Sequence, residues 1–176
     1  NPELWSALAG LVSSGKVRHL GISVGANQDN AYQTSRASQV GAEAIQVIYN
    51  RLDRTPEEKV LPLCMEQNLG VLARVPLASG FLSGKYRPGT VFSDPEDIRS
   101  KRDPAQVEER LRQVEEIRKN EVPAGVPMAS WALAWCLQHP AVTCVIPGCK
   151  NAEQVAANAA AADLAIVRED HPQAVK

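Results

Sequence analysis

The feature that most constrains this chain is the alternation of four short apolar runs with longer segments of helical periodicity. The runs occupy residues 17–23, 44–50, 70–75 and 142–146, and the second and third carry apolar residues at consecutive positions. In the other segments, apolar residues recur every three or four positions, as a helix with one buried face requires. This pattern is typical of a parallel sheet covered by helices. We therefore predict an α/β fold with helices at residues 2–15, 29–39, 56–68, 104–120 and 151–162, and another that begins at Pro127.

Size, charge and cysteine content exclude several classes of protein. The 176 residues fit one domain, and the net charge of −1 gives no reason to expect nucleic acid or an anionic membrane as a partner. No apolar run reaches the about 20 residues of a membrane span, and the first residues lack the pattern of a signal peptide. The four cysteines show no metal-ligand spacing. We therefore expect no metal site and a cytoplasmic protein with reduced thiols.

The two ends of the chain support further expectations. Because the sequence begins with Asn1 rather than Met, we expect a fragment or a processed product. Residues 1–165 are expected to form one folded region, and the polar residues 166–176 a loose tail.

Residues 70–86 join a predicted buried strand to a loop of small residues, in the sequence GVLARVPLASGFLSGKY. The loop contains Ser79, Gly80, Ser83 and Gly84, followed by the cation Lys85. Glycines let a backbone approach an anion, backbone N–H and hydroxyl groups donate hydrogen bonds to it, and a lysine adds positive charge. The stretch therefore predicts a phosphate site, with a plain surface turn after a core strand as the alternative.

A second candidate for anion binding follows the apolar run at 142–146. Pro147 and Gly148 precede a predicted helix, and Lys150 is adjacent to them. Backbone N–H groups at the amino end of a helix carry partial positive charge, which suits a phosphate.

Four segments at the ends of the predicted strands are distinctive when taken together. They are GKVRHLGIS at residues 15–23, QVIYNRLDR at 46–54, VPLASGFLSGKY at 75–86 and VIPGCKNAEQVAAN at 145–158. In this order and spacing, they resemble the second half of an aldo-keto reductase. The resemblance covers residues 1 to about 165 and implies strands five to eight of a (β/α)8 TIM barrel, present here as roughly its C-terminal half. It also implies that the four strand ends form the binding site of a nicotinamide dinucleotide.

The resemblance implies roles for the residues that match family positions. Ser23 and Gln46 would contact the nicotinamide carboxamide, although the family has an Asn where this chain has Val24. Arg74 lies where many members have a tyrosine that stacks on the nicotinamide. The residues that would surround the pyrophosphate are Val75, Pro76, Leu77, Ser79 and Lys85. Those that would hold the adenosine end are Gly148, Lys150, Gln154 and Asn158.

The expected cofactor is NADP, as NADPH, with NAD as the less favoured alternative. The charge of Lys150 suits the additional phosphate of NADP, but members that bind this phosphate with an arginine carry it at the position of Gln154. Arg99, on a long irregular connection at residues 87–103, is a candidate extra contact from a loop that folds over the dinucleotide. The acidic residues of this connection are expected to form a solvated loop rather than a cation site; they are Asp94, Glu96 and Asp97.

The family reduces aldehydes and ketones by hydride transfer, using a tyrosine, a lysine, an aspartate and a histidine. All four belong to the first half of the barrel, upstream of Asn1, so no residue of this chain is predicted to be catalytic. We expect the parent protein to be an NADPH-dependent oxidoreductase of a small carbonyl substrate. The alternative is a non-catalytic dinucleotide-binding half-barrel that acts as a regulatory or partner-binding module. Either protein must cover two open sheet edges, by the missing N-terminal half or by self-association.

Overall fold

The computed structural model describes residues 2–25 and 30–164, which form a four-stranded parallel sheet packed against helices. The strands lie side by side in chain order as β1 (Gly21–Ser23), β2 (Ala44–Ile48), β3 (Gly70–Arg74) and β4 (Cys144–Ile146). The predicted α/β class and the parallel sheet are confirmed. The loose tail predicted for residues 166–176 lies outside the described residues.

The two edge strands are shorter than the sequence predicted. β1 and β4 cover three residues each, rather than residues 17–23 and 142–146. Single hydrogen bonds extend both ladders, because the N–H of Glu43 donates to Leu20 and the N–H of Thr143 donates to Val71, each at 2.9 Å. Within the described residues, however, each edge strand pairs with one neighbour only. A strand with one neighbour has half the ladder hydrogen bonds of a central strand, so regular strand geometry ends sooner.

The described residues contain α-helices at Pro2–Ser13 (α1), Asn30–Ser35 (α2), Val60–Glu66 (α3), Pro104–Asn120 (α4), Met128–Leu137 (α5) and Ala152–Ala160 (α6). The helix predicted at 29–39 is divided into α2 and a 3-10 helix at Ser38–Val40. The one predicted at 56–68 consists of a 3-10 helix at Thr55–Glu58 and α3, separated by Lys59 with φ −141°. The predicted 151–162 helix ends as a 3-10 helix at Ala161–Asp163.

Helix α4 matches its predicted bounds at both ends. The side chain of Asp103 accepts hydrogen bonds from the backbone N–H groups of Ala105 at 2.7 Å and Gln106 at 3.4 Å, and Pro104 occupies the first turn. These are the residue types that begin helices. The apolar stripe of α4 is buried, as its spacing predicted; it consists of Val107, Leu111, Val114 and Ile117.

The hydrophobic core lies between one face of the sheet and the helices. Alternate residues of the two central strands point into it, namely Ile45, Val47, Val71 and Ala73. Helix α5 is apolar on all sides and is buried from Met128 through Cys136 apart from Ala129 and Ser130. Its Trp135 packs against Tyr49 with ring centroids 5.5 Å apart. Full burial of a helix of this composition is expected.

The opposite face of the sheet is only half-buried, and it carries Gln46, Leu72 and Arg74. Helices α1 and α6 contain no buried residue, and Leu4, Leu11 and Val12 of α1 are exposed. Four parallel strands are also too few to close a barrel, which takes about eight. The described residues therefore present an apolar surface and two strand edges that a complete barrel would cover. None of the helices in the part of the chain described here has the length and apolarity of a membrane-spanning segment.

Candidate functional site

The carboxyl ends of the four strands lie at one edge of the sheet because the strands are parallel. Ser23 of β1 and Gln46 of β2 are partners in the register, and the Gln46 side-chain amide donates to the Ser23 hydroxyl at 3.2 Å. The structure thus brings together two residues predicted to contact the nicotinamide carboxamide. Both side chains lie on the half-buried face, where a ligand can reach them.

Arg74 is the last residue of β3 and lies on the same face, two positions beyond the partner of Gln46. Its Nη2 donates to the backbone carbonyl of Val24 at 3.2 Å, across the intervening strand β2. Its Nε is buried and has no hydrogen-bond partner among the described residues. A buried polar atom without a hydrogen-bond partner lowers the stability of the fold.

The loop after β3 has an unusual backbone. Val75, Ala78 and Ser79 have positive φ angles of 57°, 49° and 57°, and Gly80 follows at 87°. A positive φ in a β-branched residue such as Val75 is a genuine outlier, and each such residue costs about 1–3 kcal/mol. Strain of this kind concentrates at ligand-binding sites. Contacts with the surrounding structure must therefore hold the loop that is predicted to bind a pyrophosphate in this strained conformation.

Buried side chains anchor this loop on the core. Pro76 is buried, as are Ala78, Phe81 and Leu82 of the 3-10 helix at Ala78–Ser83. Leu77 and Ser79 are half-buried, and Lys85 is exposed beyond Gly84. The backbone N–H of Lys85 donates to the Ser83 hydroxyl at 3.4 Å. The loop therefore has a rigid base and presents its cation to solvent, as an anion site requires.

Arg99 lies against two aromatic rings, and its predicted role as an extra contact to the dinucleotide stays a prediction. Its guanidinium carbon lies 4.4 Å from the ring centroid of Tyr86 and 4.3 Å from that of Phe92, and its Nε donates to Asp97 at 2.8 Å. Hydrogen bonds from Arg99 and the nearby charge of Lys150 lower the pKa of Asp97 to about 2. Arg99 thus uses its charge to brace the connection at 87–103 against the loop after β3. Asp97 is committed to the same pair, and the described residues hold no cluster of His, Cys, Asp and Glu arranged for a metal ion.

The residues after β4 are arranged around the start of α6. The side chain of Asn151 accepts from the backbone N–H of Gln154 at 2.9 Å, and the Gln154 side chain accepts from the N–H of Lys150 at 2.8 Å. This reciprocal pattern resembles a capping box. Gly148 and Lys150 are exposed, and Asn158 is half-buried one turn beyond Gln154. The structure therefore gathers the four residues predicted for the adenosine end, although the Gln154 side chain is already engaged in capping.

Tyr49, Tyr86 and His139 are each engaged with other side chains of this chain. The Tyr49 hydroxyl donates a hydrogen bond to Glu57 at 2.7 Å. Burial is the main cause that raises the pKa of Tyr49, and the Glu57 carboxylate is the second. Burial lowers the pKa of His139, whose ring packs edge-on against Tyr49 at 5.8 Å. Tyr86 is packed against Arg99. The absence of a catalytic residue from this chain stays a prediction.

Sequence reasoning missed Asn50, the polar residue that follows β2. It is 2% exposed and donates through its side-chain amide to the backbone carbonyl of Val75 at 3.1 Å. The only signal in the sequence was an amide residue directly after an apolar strand, which by itself does not distinguish a core contact from a surface turn.

Comparison with known proteins identifies relatives of this chain. A family model described as the Aldo/keto reductase family matches residues 1–176. The chain is 33% identical over 135 residues to a probable voltage-gated potassium channel subunit beta of Oryza sativa subsp. japonica, covering 74% of this chain and 41% of that protein. It is 32% identical over 168 residues to the L-glyceraldehyde 3-phosphate reductase of Escherichia coli (strain K12), covering 89% of this chain and 47% of that protein.

Solved structures also resemble this chain. The glycerol dehydrogenase AKR11B4 from Gluconobacter oxydans matches with a TM-score of 0.75 and 29% identity, covering 89% of this chain and 47% of that one. Such structures are (β/α)8 barrels, so the expected fold class is confirmed, and the four-stranded sheet is part of a barrel. The chain spans about half the length of the curated relatives it matches.

Proposed function

This chain belongs to the aldo-keto reductase family of oxidoreductases, and from that premise we propose that it supplies the NADPH-binding half of an enzyme that reduces aldehydes or ketones to alcohols. The observation that carries the proposal is the strained loop after β3, with positive φ at Val75, Ala78, Ser79 and Gly80. It lies at the carboxyl edge of a parallel sheet, where ligands of α/β barrels bind. A preorganised small-residue loop at that edge fits a pyrophosphate.

The nicotinamide end is assigned to the residues on the half-buried face of the sheet. Ser23 and Gln46, already joined by a hydrogen bond, would hold the carboxamide and so fix which side of the ring faces the substrate. The flat guanidinium of Arg74, held by its hydrogen bond to the carbonyl of Val24, would lie against the ring. When bound, NADPH would supply the hydride. Ser23, Gln46 and Arg74 would orient its nicotinamide ring.

The phosphate and adenosine ends are assigned to the two loops. The pyrophosphate would lie on the loop after β3, against Val75, Pro76, Leu77, Ser79 and Lys85. The adenosine end would contact Gly148, Lys150, Gln154 and Asn158 around the start of α6. The exposed ammonium of Lys150 supports NADP over NAD, because the additional phosphate of NADP carries about two negative charges.

The test is a titration of the 176-residue chain with NADPH and, separately, with NADH, followed by nicotinamide fluorescence. We expect saturable binding of both, with NADPH bound more tightly. A chain that far-UV circular dichroism shows to be folded, but that binds neither dinucleotide, would refute the proposed function.

The alternative of a non-catalytic dinucleotide-binding module remains a prediction, and turnover separates it from a reductase. We expect the parent protein to oxidise NADPH in the presence of at least one of a series of small carbonyl compounds. The loss of absorbance of the reduced nicotinamide measures this oxidation. Tight NADPH binding without turnover of any would favour the regulatory module.

We also propose that the surface left open by this half-barrel is covered in the assembled protein. The surface consists of the edges of β1 and β4 and the exposed apolar side chains of α1. The missing N-terminal half of the barrel, or self-association, would cover it, and sedimentation of the chain alone distinguishes a monomer from a self-associated form. The unpaired state of all four cysteines supports a reducing, cytoplasmic location.

A further inference from the structure

We propose that Asn50 is a positioning residue that holds the loop after β3 in its ligand-binding conformation, by fixing the strained residue Val75. This inference rests on the proposed function, since it assigns a cause to the conformation of the loop that would bind the pyrophosphate. Asn50 lies behind the loop and is 2% exposed, so it does not touch the ligand itself.

The side-chain amide of Asn50 is engaged at both ends. Its Nδ2 donates to the backbone carbonyl of Val75 at 3.1 Å, and its Oδ1 accepts from the backbone N–H of Leu52 at 3.0 Å. The backbone of Asn50 exchanges two further hydrogen bonds with Asp53, at 3.3 and 3.0 Å. Rotating the amide would place an oxygen against a carbonyl and a donor against a donor. The orientation of Asn50 is therefore fixed, and a donor always faces Val75.

Val75 needs such a partner because its backbone is strained. With φ at 57°, the β-branched side chain lies close to its own backbone, and an extended conformation is lower in energy. The carbonyl of Val75 also accepts from the N–H of Ala78 at 2.9 Å, which closes the turn through Pro76 and Leu77. Two donors to this carbonyl oppose relaxation of Val75, and one of them, Asn50, follows a different strand.

The direction of the loop follows from this single residue. Val75 is the first residue after β3, so its φ determines where Pro76, Leu77 and Ser79 lie relative to the sheet. Without the Asn50 donor, we expect Val75 to relax toward negative φ and the loop to leave its binding conformation. Asn50 thus links the end of β2 to the loop after β3.

A double-mutant cycle separates this role from ordinary core packing. Glycine adopts positive φ without steric cost, so Val75→Gly removes the strain that Asn50 opposes. We expect Asn50→Ala to weaken NADPH binding about 30-fold with Val75 in place, the size of effect that a lost buried hydrogen bond produces. In the Val75→Gly background, the same change should cost about 3-fold, since the loop no longer gains by relaxing. Equal losses in the two backgrounds would overturn the proposal.

A spectroscopic measurement reports on the loop without any ligand. A residue with positive φ gives a strong NOE between its own amide proton and its Hα, because the two protons are close. Val75 should show this NOE in the unsubstituted chain and lose it in Asn50→Ala. An unchanged NOE would contradict the positioning role whatever the affinity. If the unsubstituted chain binds no NADPH, the proposed function fails, and the NOE alone then decides the role of Asn50.

Thr34→Ala is the matched control, because Thr34 and Asn50 are the buried polar residues of the described core. Thr34 donates to the carbonyl of Asn30 at 2.7 Å within α2, away from the loop after β3. Its loss should lower stability and leave the NADPH affinity and the Val75 NOE unchanged. If Asn50→Ala does not fold, Val75→Gly should restore folding, and failure of this rescue would count against the proposal.

Discussion

Some side chains at the strand ends already interact with other residues of the chain, and others are free to contact a ligand. The side-chain amide of Gln154 takes part in capping α6. The guanidinium of Arg99 is stacked between two rings and paired with Asp97. Neither group is therefore fully available to a ligand. Lys150 is exposed, and the nearby Asp97 is already bonded to Arg99. At the scale of single residues, the proposed preference for NADP therefore depends on Lys150.

Replacing Lys150 with methionine should lower NADPH affinity about tenfold, because a charge-assisted hydrogen bond contributes roughly 1.5 kcal/mol. NADH affinity should hardly change, since NADH lacks the additional phosphate. Parallel fluorescence titrations measure both values. Lys16→Met, at another exposed lysine just after α1, is the control and should alter neither. An equal loss for the two dinucleotides would show that Lys150 does not contact that phosphate.

At the scale of elements, the loop after β3 and the connection at 87–103 support each other through Gly80. A Cβ at Gly80 would lie 3.0 Å from Nη1 of Arg99, and the residue has φ 87°. Gly80→Ala should therefore lower the free energy of unfolding by about 1–2 kcal/mol, from backbone strain and displacement of Arg99 together. Urea denaturation measures this loss.

Gly89→Ala provides the matched control for Gly80→Ala. Gly89 also has a positive φ, 84°, but a Cβ there would meet nothing within 4 Å. Its substitution carries the backbone strain without the clash, so it should destabilise less than Gly80→Ala. Equal effects would mean that the packing of Arg99 against Gly80 contributes little.

Helix α4 should depend on its amino-terminal cap. Asp103→Ala removes the acceptor for Ala105 and Gln106 and should cost about 1 kcal/mol in the free energy of unfolding. Glu116→Ala, exposed in the middle of the same helix, should cost little. Chemical denaturation compares the two variants, and a larger loss for Glu116→Ala would contradict the assignment of the cap.

At the scale of the whole molecule, two buried thiols make the stability of the fold depend on pH in alkaline solution. Burial raises the pKa of Cys136 to about 12 and that of Cys64 to about 11. Both thiols stay neutral in the folded state but ionise near pH 9 in the unfolded state. Their contribution to the free energy of unfolding is therefore complete below pH 9, and it is lost as the pH rises toward their pKa values in the folded state. Stability should fall above pH 9 by up to about 1.4 kcal/mol per pH unit for each thiol.

Urea denaturation between pH 8 and 11 measures this dependence, in the presence of a reductant that prevents oxidation. Cys136→Ala should reduce the slope above pH 9, although it also lowers stability at neutral pH by leaving a small cavity. An unchanged slope in this variant would mean that Cys136 does not ionise on unfolding in that range.

The sequence predicted the fold where local signals and tertiary contacts agree. Asp103, Pro104 and a four-residue apolar stripe defined α4 at both ends, and the apolar runs located all four strands. It overestimated β1 and β4, because strand length at an edge depends on a partner strand rather than on the residues of the strand itself. The helix predicted at 56–68 was divided at Lys59, whose conformation has no clear local signal.

The candidate site was predictable in its location but not in its internal contacts. Parallel strands bring their carboxyl ends together, so Ser23, Gln46 and Arg74 were expected on one edge. The positive φ of Val75 was not predictable, because valine disfavours it and its partner Asn50 is 25 residues away in the chain. The engagement of Arg99 by Asp97 and two rings likewise depends on how the long connection folds.

Amide hydrogen exchange of the chain, with and without saturating NADPH, tests the central claim most directly. If the four strand ends form the dinucleotide site, the amides of residues 75–84 and 148–154 should exchange more slowly with the ligand, while those of α4 should not change. Protection confined to another surface, or none in a folded chain, would contradict the account.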